Sequence, residues 1–113
     1  MSEDQRKFFH LPQSVKVRWQ KVSDDGATPQ EKAGGVTMDI SAGGVRLKLN
    51  KDVEPGDILK LEMDLGDTKT IKVQGKVMWV RAEHEAGVDF IDMDRQTRWE
   101  LTEFIYKAHQ QQI

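Results

Sequence analysis

Residues 36–49 of this 113-residue chain read VTMDISAGGVRLKL, and this stretch decides the fold. Apolar and polar residues alternate on both sides of a glycine pair, Gly43 and Gly44, as they do in a half-buried antiparallel hairpin. Glycine tolerates the backbone angles of a tight turn, so the pair marks the turn between two strands.

The alternation also assigns each side chain to a face of the first strand. With Ile40 pointing to the core, Val36 and Met38 are predicted to point inward, and Asp39 and Ser41 to point outward together. A carboxylate on the surface can accept the N1–H and N2–H donors of a guanine edge, and a hydroxyl can support it. The alternative is that Ser41 and the glycines only shape the turn.

The same period of two recurs in four further segments, around residues 15–19, 59–65, 71–79 and 88–90. Six one-sided strands bury their apolar faces most simply by curling into an antiparallel barrel. Residues at the inward parity, with three from the end of the chain, form the predicted core: Val17, Val36, Met38, Leu47, Leu61, Val73, Val77, Phe90, Leu101, Phe104 and Ile105.

Trp79 shares the parity of Val73 and Val77, which predicts packing on the inner face of the barrel. Because Trp79 lies near the end of its segment, the alternative is that it lines a ligand site.

The end of the chain changes to a helical period, which predicts one C-terminal helix over about residues 94–110. Asp94 is the predicted N-cap, with Asp92 as the rival. We therefore expect an N-terminal arm over residues 1–12, followed by the barrel and its helix over residues 13–113.

Composition argues against catalysis and against cofactors. The chain has no Cys, and its three histidines, His10, His84 and His109, have no metal-ligand spacing. We therefore expect no metal, no cofactor and no enzyme activity. A net charge of −2 argues against a nucleic-acid polymer as partner. With no membrane-spanning run and no signal peptide in view, the expected location is the cytoplasm.

The predicted arm combines basic and aromatic residues in Arg6-Lys7-Phe8-Phe9-His10. Arginine can stack on a planar ring and can also donate two hydrogen bonds to guanine or to a phosphate. The segment therefore suits a planar, anionic ligand. The alternative is that the two phenylalanines only attach the arm to the core.

Two motifs together resemble the PilZ domain family. The arm resembles the family's RxxxR motif, and Asp39-x-Ser41-x-x-Gly44 resembles its [D/N]xSxxG motif. Residues 75–80 and 87–90, followed by a helix, extend the resemblance over nearly the whole chain. The resemblance implies a six-stranded antiparallel β-barrel with a C-terminal helix that binds cyclic di-GMP, a bacterial second messenger.

The resemblance also implies site residues. Arg6 is expected to contact guanine and phosphate, Asp39 and Ser41 a guanine edge, and Gly44 allows the turn to come close. The chain departs from the pattern at His10, which replaces the second arginine of the arm, and Lys7 is expected to supply part of the missing charge.

Two functions follow from these motifs. The first is a receptor whose arm becomes ordered over the barrel when cyclic di-GMP binds, and which relays the signal to a protein partner. The second is an adaptor of the same fold that binds no nucleotide and acts through protein contacts in motility or pilus function. The residues of the second motif favour the receptor, and His10 favours the adaptor.

Overall fold

The computed structural model describes residues 12–22, 33–66, 69–82 and 84–111. Arg6, Lys7 and His10 of the predicted arm lie outside the described residues. The described elements, in chain order, are six strands and a helix: β1 (Lys16–Lys21), β2 (Ala33–Ile40), β3 (Gly44–Leu49), β4 (Ile58–Asp64), β5 (Thr70–Arg81), β6 (Glu85–Asp92) and α1 (Arg95–Gln111).

The strands form a closed barrel in the order β1-β2-β3-β6-β5-β4, with β1 pairing with β4 to close it. All neighbouring strands are antiparallel. The predicted fold class, a six-stranded antiparallel barrel followed by one C-terminal helix, is confirmed. Closure leaves every strand of the barrel with a neighbour on both sides, and therefore buries one face of each.

Most of the predicted core is confirmed. Phe90 and Phe104 are partly buried and pack against the core. The predicted residues that are fully buried come from five elements: Val17, Leu47, Leu61, Val73, Val77, Leu101 and Ile105. Their burial removes apolar surface from water, which is the main term that stabilises a domain of this size.

The prediction for β2 is wrong at two positions. Val36 is 43% exposed and Met38 is only partly buried, whereas Thr37 is 1% exposed. The pairing of β2 with β3 shifts between Thr37 and Asp39, which marks a β-bulge. A bulge adds one residue to a strand, so Thr37 and Ile40 both point inward although they are three residues apart.

Thr37 is a polar residue in an apolar interior, and its hydroxyl is fully used there. The hydroxyl donates to the backbone carbonyl of Gln13 and accepts from the backbone N–H of Val15 at 2.8 Å. The backbone N–H of Thr37 also donates to the carbonyl of Val15 at 3.0 Å. The chain that leads into β1 is thereby attached to the middle of β2.

Asp94 is the N-cap of α1, as the sequence predicts, and Asp92 belongs to β6 instead. The backbone N–H of Thr97 donates to Oδ1 of Asp94 at 2.7 Å, which satisfies a donor that the helix itself leaves unpaired. This hydrogen bond favours the ionised carboxylate and lowers the pKa of Asp94 from its ordinary value of 3.8.

Asp94→Ala is expected to lower the melting temperature by several degrees, because it removes the acceptor for the Thr97 N–H. Asp94→Asn keeps a hydrogen-bond acceptor and should therefore lower the melting temperature by less. Since folding depresses the pKa of Asp94, the advantage of wild type over Asp94→Asn is present above about pH 3.8 and disappears as pH falls further. Thermal unfolding followed by circular dichroism at pH 7 and pH 3 checks both points. Equal melting temperatures for wild type and Asp94→Ala at pH 7 would contradict them.

Candidate functional site

The β2–β3 hairpin places Asp39 on the outer surface of the barrel, as the alternation predicts. Asp39 pairs in register with Arg46 of β3, while the next pair, Ile40 with Val45, points inward. Nε of Arg46 donates to Oδ2 of Asp39 at 2.8 Å. The carboxylate of the predicted site is therefore held by a cation on the neighbouring strand.

Arg46 also contacts a second carboxylate, which the sequence analysis did not identify. Its Nη1 atom donates to Oε1 of Glu85 at 3.1 Å, so one guanidinium joins β2, β3 and β6. The side chains of Asp39 and Glu85 are only 22% and 19% exposed, which strengthens the attraction relative to a fully solvated pair.

The prediction that Ser41 points outward beside Asp39 is wrong. Ser41 is 4% exposed, and its hydroxyl lies inside the turn. The hydroxyl donates to the carbonyl of Gly44 at 3.2 Å and accepts from the backbone N–H groups of Gly43 and Gly44 at 3.3 and 3.1 Å. The physical reason is that β2 ends at Ile40, so the alternation of the strand does not extend to Ser41. The alternative, that Ser41 shapes the turn, agrees with this geometry.

Gly44 begins β3 at a point where two strands approach closely. A Cβ atom at this position would lie 2.5 Å from the backbone oxygen of Val88 and 3.3 Å from Cα of Asp89. Only a residue without a side chain fits there without moving β6. The turn next to Asp39 is therefore fixed both by the Ser41 hydroxyl and by this contact.

The prediction that Trp79 packs on the inner face is also wrong. The pairing of β5 with β6 shifts between Val77 and Trp79, and this bulge reverses the side on which Trp79 lies. Its ring covers Gly87, where a Cβ atom would come within 2.2 Å of the indole. Gly87 lies between the inward-pointing Ala86 and Val88, so the ring is on the outer surface.

The outer surface thus carries one row of residues across four neighbouring strands, β2, β3, β6 and β5, which we call the outer row: Asp39, Arg46, Gly87 and Trp79. Neighbouring strands are about 4.8 Å apart, so the row is roughly 14 Å long. It offers a carboxylate at one end and an aromatic face at the other. The guanidinium of Arg81 lies 4.6 Å from the centre of the Trp79 ring, which places a further cation at the aromatic end.

None of the outer-row residues lines the groove that the described surface forms beside β1. That groove, of about 480 Å³, is formed by β1, β4, β5 and the segment before α1, including Gln20, Lys60, Gln74 and Asp92.

Within the described ranges, no group of three or more His, Asp or Glu side chains could hold a metal ion. In the same part of the chain, no helix has the length and apolar character needed to cross a membrane. Of the two histidines in the described ranges, His84 has its Nδ1 atom 3.2 Å from Oδ1 of Asp52, and His109 lies in the last turn of α1.

Arg46→Ala is expected to lower the free energy of unfolding by about 1–2 kcal/mol, because it removes the cation that Asp39 and Glu85 share. Arg18→Ala is the matched control, since Arg18 is 57% exposed and lies 3.6 Å from Glu62. Arg18→Ala should lower the free energy of unfolding by less than about 0.5 kcal/mol. Urea unfolding of the three proteins gives the comparison, and equal midpoints for the two variants would contradict a special role for Arg46.

Comparisons with known proteins point to one family. The family model described as "PilZ domain" matches residues 4–107 of the chain. No curated protein shows significant sequence similarity to the chain.

Several solved structures have the same fold. The PilZ domain of CeSA from a cellulose-synthesising bacterium is 14% identical, with a TM-score of 0.67 over 89% of this chain and 98% of that one. The PilZ domain of YcgR from Escherichia coli, solved with c-di-GMP, is 12% identical, with a TM-score of 0.71 over 95% of this chain and 93% of that one. The Bacillus subtilis inhibitor of motility MotI/DgrA is 14% identical, with a TM-score of 0.76 over 96% of this chain and 53% of that protein.

Proposed function

The chain belongs to the PilZ domain family, and from that membership we propose that it is a receptor for cyclic di-GMP that acts by binding, not by catalysis. The similarity in fold to a YcgR domain solved with this nucleotide supports the choice of ligand. The observation that carries the proposal is the position of Asp39, outward on the barrel surface and held by Arg46.

In this proposal Asp39 accepts the N1–H and N2–H donors of one guanine. The ion pair with Arg46 keeps its carboxylate in a single orientation before the ligand arrives, which reduces the entropy lost on binding. Ser41 acts indirectly, because its hydroxyl fixes the turn and with it the end of β2. Gly44 acts through the same turn.

The N-terminal arm is proposed to cover a ligand that is bound at the outer row. The chain enters the barrel beside the middle of β2, because the backbone at Gln13 and Val15 is hydrogen-bonded to Thr37, two residues before Asp39. An extended chain reaches about 3.3 Å per residue, so His10 can lie within roughly 10 Å of Gln13 and Arg6 within roughly 23 Å. Arg6, Lys7 and His10 are therefore within reach of a nucleotide bound beside Asp39.

Binding would order the arm across the outer surface and change what a second protein contacts. We therefore propose that the chain relays the signal to a protein partner in the cytoplasm. The residue that binds and the residues that cover the ligand belong to different segments, so occupancy is coupled directly to the position of the arm.

Calorimetric titration with cyclic di-GMP tests the proposal. Wild type should bind, and Asp39→Ala should bind at least tenfold more weakly, because a charged hydrogen-bond acceptor is worth roughly 1.5–3 kcal/mol. Asp64→Ala is the control, since Asp64 is an exposed carboxylate at the end of β4. Binding by Asp39→Ala that equals binding by Asp64→Ala would place the ligand elsewhere.

One observation favours the second candidate, an adaptor that binds no nucleotide and acts through protein contacts in motility or pilus function. The hydroxyl of Ser41 is used inside the turn and offers no donor beside Asp39. If calorimetric titration detects no binding of cyclic di-GMP by either wild type or His10→Arg, the adaptor becomes the better description of the chain.

A further inference from the structure

Arg81 does not form an ion pair with the carboxylate that lies opposite it. In the register of β5 with β6, Arg81 is across from Glu85, an arrangement that favours pairing of opposite charges. Glu85 is instead bound by Nη1 of Arg46 at 3.1 Å. Among the described residues the guanidinium of Arg81 has no hydrogen bond and no ion pair, and it lies 4.6 Å from the centre of the Trp79 ring.

The contact with Trp79 leaves the donors of Arg81 available to a ligand. A guanidinium carries five N–H donors around its edge, whereas contact with an aromatic ring uses its flat face. Trp79 is the last residue of the outer row, so its ring supports an exposed cation at the end of the row opposite Asp39. A planar fork of donors held in this way suits an oxyanion with two acceptor oxygens, such as a phosphate.

The outer row joins Asp39 to the Arg81 end along one surface. The residue that β6 contributes to this row is Gly87, so no side chain at that position stands between the two ends. The chain before β1 enters beside Thr37, on the β1 side of Asp39. Resting on the receptor function proposed above, we propose that Arg81 binds one phosphate of the cyclic di-GMP whose guanine is bound by Asp39.

Charge balance supports a second cation at this surface. Asp39 and Glu85 place two carboxylates on the face that the ligand is proposed to cover, and Arg46 offsets only one of these charges. A surface with a net negative charge repels a ligand whose two phosphates are both ionised. Arg81 offsets the second carboxylate, and it adds a guanidinium to a site in which His10 replaces an arginine of the arm.

Calorimetric titration with cyclic di-GMP tests the role of Arg81. Arg81→Gln should weaken binding by about tenfold to a hundredfold, because it removes a charged hydrogen-bond donor from a phosphate. Arg81→Lys keeps the charge but loses the planar fork, so it should recover part of the affinity. Arg18→Gln is the matched control, since the guanidinium of Arg18 on β1 lies 3.6 Å from Glu62 on β4, and neither strand contributes to the outer row. Circular dichroism establishes that each variant is folded.

Salt separates a phosphate contact from a packing contact. Raising the NaCl concentration from about 50 mM to 500 mM screens exposed charges, so it should weaken binding by wild type more than binding by Arg81→Gln. If Arg81 only packed on Trp79, the ratio of the two affinities would be the same at both concentrations.

Each failure has its own signature. If wild type and Arg81→Gln bind equally well, or if their ratio does not change with salt, the role of Arg81 is overturned and the receptor function stands. Weakening of Arg18→Gln to the level of Arg81→Gln would assign the effect to net charge and would also overturn that role. If wild type itself does not bind cyclic di-GMP, the receptor function and the role of Arg81 fail together.

Discussion

Gly44→Ala is expected to lower the free energy of unfolding by about 3 kcal/mol, whereas Gly34→Ala should change it by less than about 1 kcal/mol. Both glycines lie in the β2–β3 hairpin, and the two substitutions add the same methyl group. They differ in what the methyl group meets. At Gly34 the nearest atom is Nδ2 of Asn50 at 3.8 Å, which is an ordinary contact.

At Gly44 the added methyl group meets backbone, which cannot rotate away. The carbonyl oxygen of Val88 would be 2.5 Å from the new Cβ atom, so β3 and β6 must separate. Separation strains the ladder in which Gly44 pairs with Asp89, and the neighbouring bond from the N–H of Phe90 to the carbonyl of Gly43, 3.0 Å long. The substitution therefore costs both packing and hydrogen bonding.

Urea unfolding followed by far-ultraviolet circular dichroism measures both variants against wild type. The extrapolated free energies should separate the two glycines by about 2 kcal/mol or more. If the free energies of unfolding of Gly44→Ala and Gly34→Ala differ by less than about 1 kcal/mol, β6 adjusts to the added methyl group without loss of stability. In that case Gly44 would not be required by the fold at this position.

His10→Arg is expected to tighten cyclic di-GMP binding by about tenfold to a hundredfold, provided that the receptor function holds. A neutral imidazole has one donor and no charge, whereas a guanidinium is always charged and can donate two parallel hydrogen bonds to a phosphate or to guanine. Arg6→Ala should weaken binding in both backgrounds, because Arg6 is the intact arginine of the arm.

The pH dependence of binding gives a second measure of how His10 contributes to the affinity for cyclic di-GMP. An imidazole in water gains its proton near pH 6.5, and only the charged form attracts a phosphate, so wild-type affinity should rise as pH falls from about 7.5 to 6. His10→Arg should show a smaller change over this range. His109→Arg adds the same charge on α1 and serves as the control. Equal tightening by the two arginine variants would mean that net charge, not the position in the arm, determines affinity.

The fold could be predicted from sequence because period-two alternation is a local property of each strand. The errors of the prediction fall at two of the three register shifts in the described strands, between Thr37 and Asp39 and between Val77 and Trp79, where one extra residue changes the face on which the neighbouring side chains lie. In β2 the apolar Val36 and Met38 suggest the wrong face, and the polar Thr37 is inside. Thr37 points inward because its hydroxyl is hydrogen-bonded to the backbone of Gln13 and Val15, more than twenty positions away. A local sequence pattern contains no information about such a distant partner.

The orientation of the candidate residues is predictable to the same extent. The outward face of Asp39 follows from the adjacent Ile40, and its partner Arg46 could have been found by counting pairs outward from the turn. Glu85 could not, because β3 and β6 are neighbours in space but are separated along the chain by two other strands. Alternation predicts the wrong side for Ser41, because β2 ends one residue earlier, at Ile40.

Closure of the barrel has a consequence for how the chain exchanges its amide hydrogens with solvent. Each strand is bonded on both sides, so no strand can detach without breaking two ladders. Amides in the strand ladders should therefore become accessible only when the whole barrel opens. The helix is attached mainly through Leu101 and Ile105, and it can fray without disturbing those ladders. We therefore expect two levels of protection against amide hydrogen exchange in this one domain. The amides of α1 should exchange through an opening of lower free energy than the amides of the barrel strands.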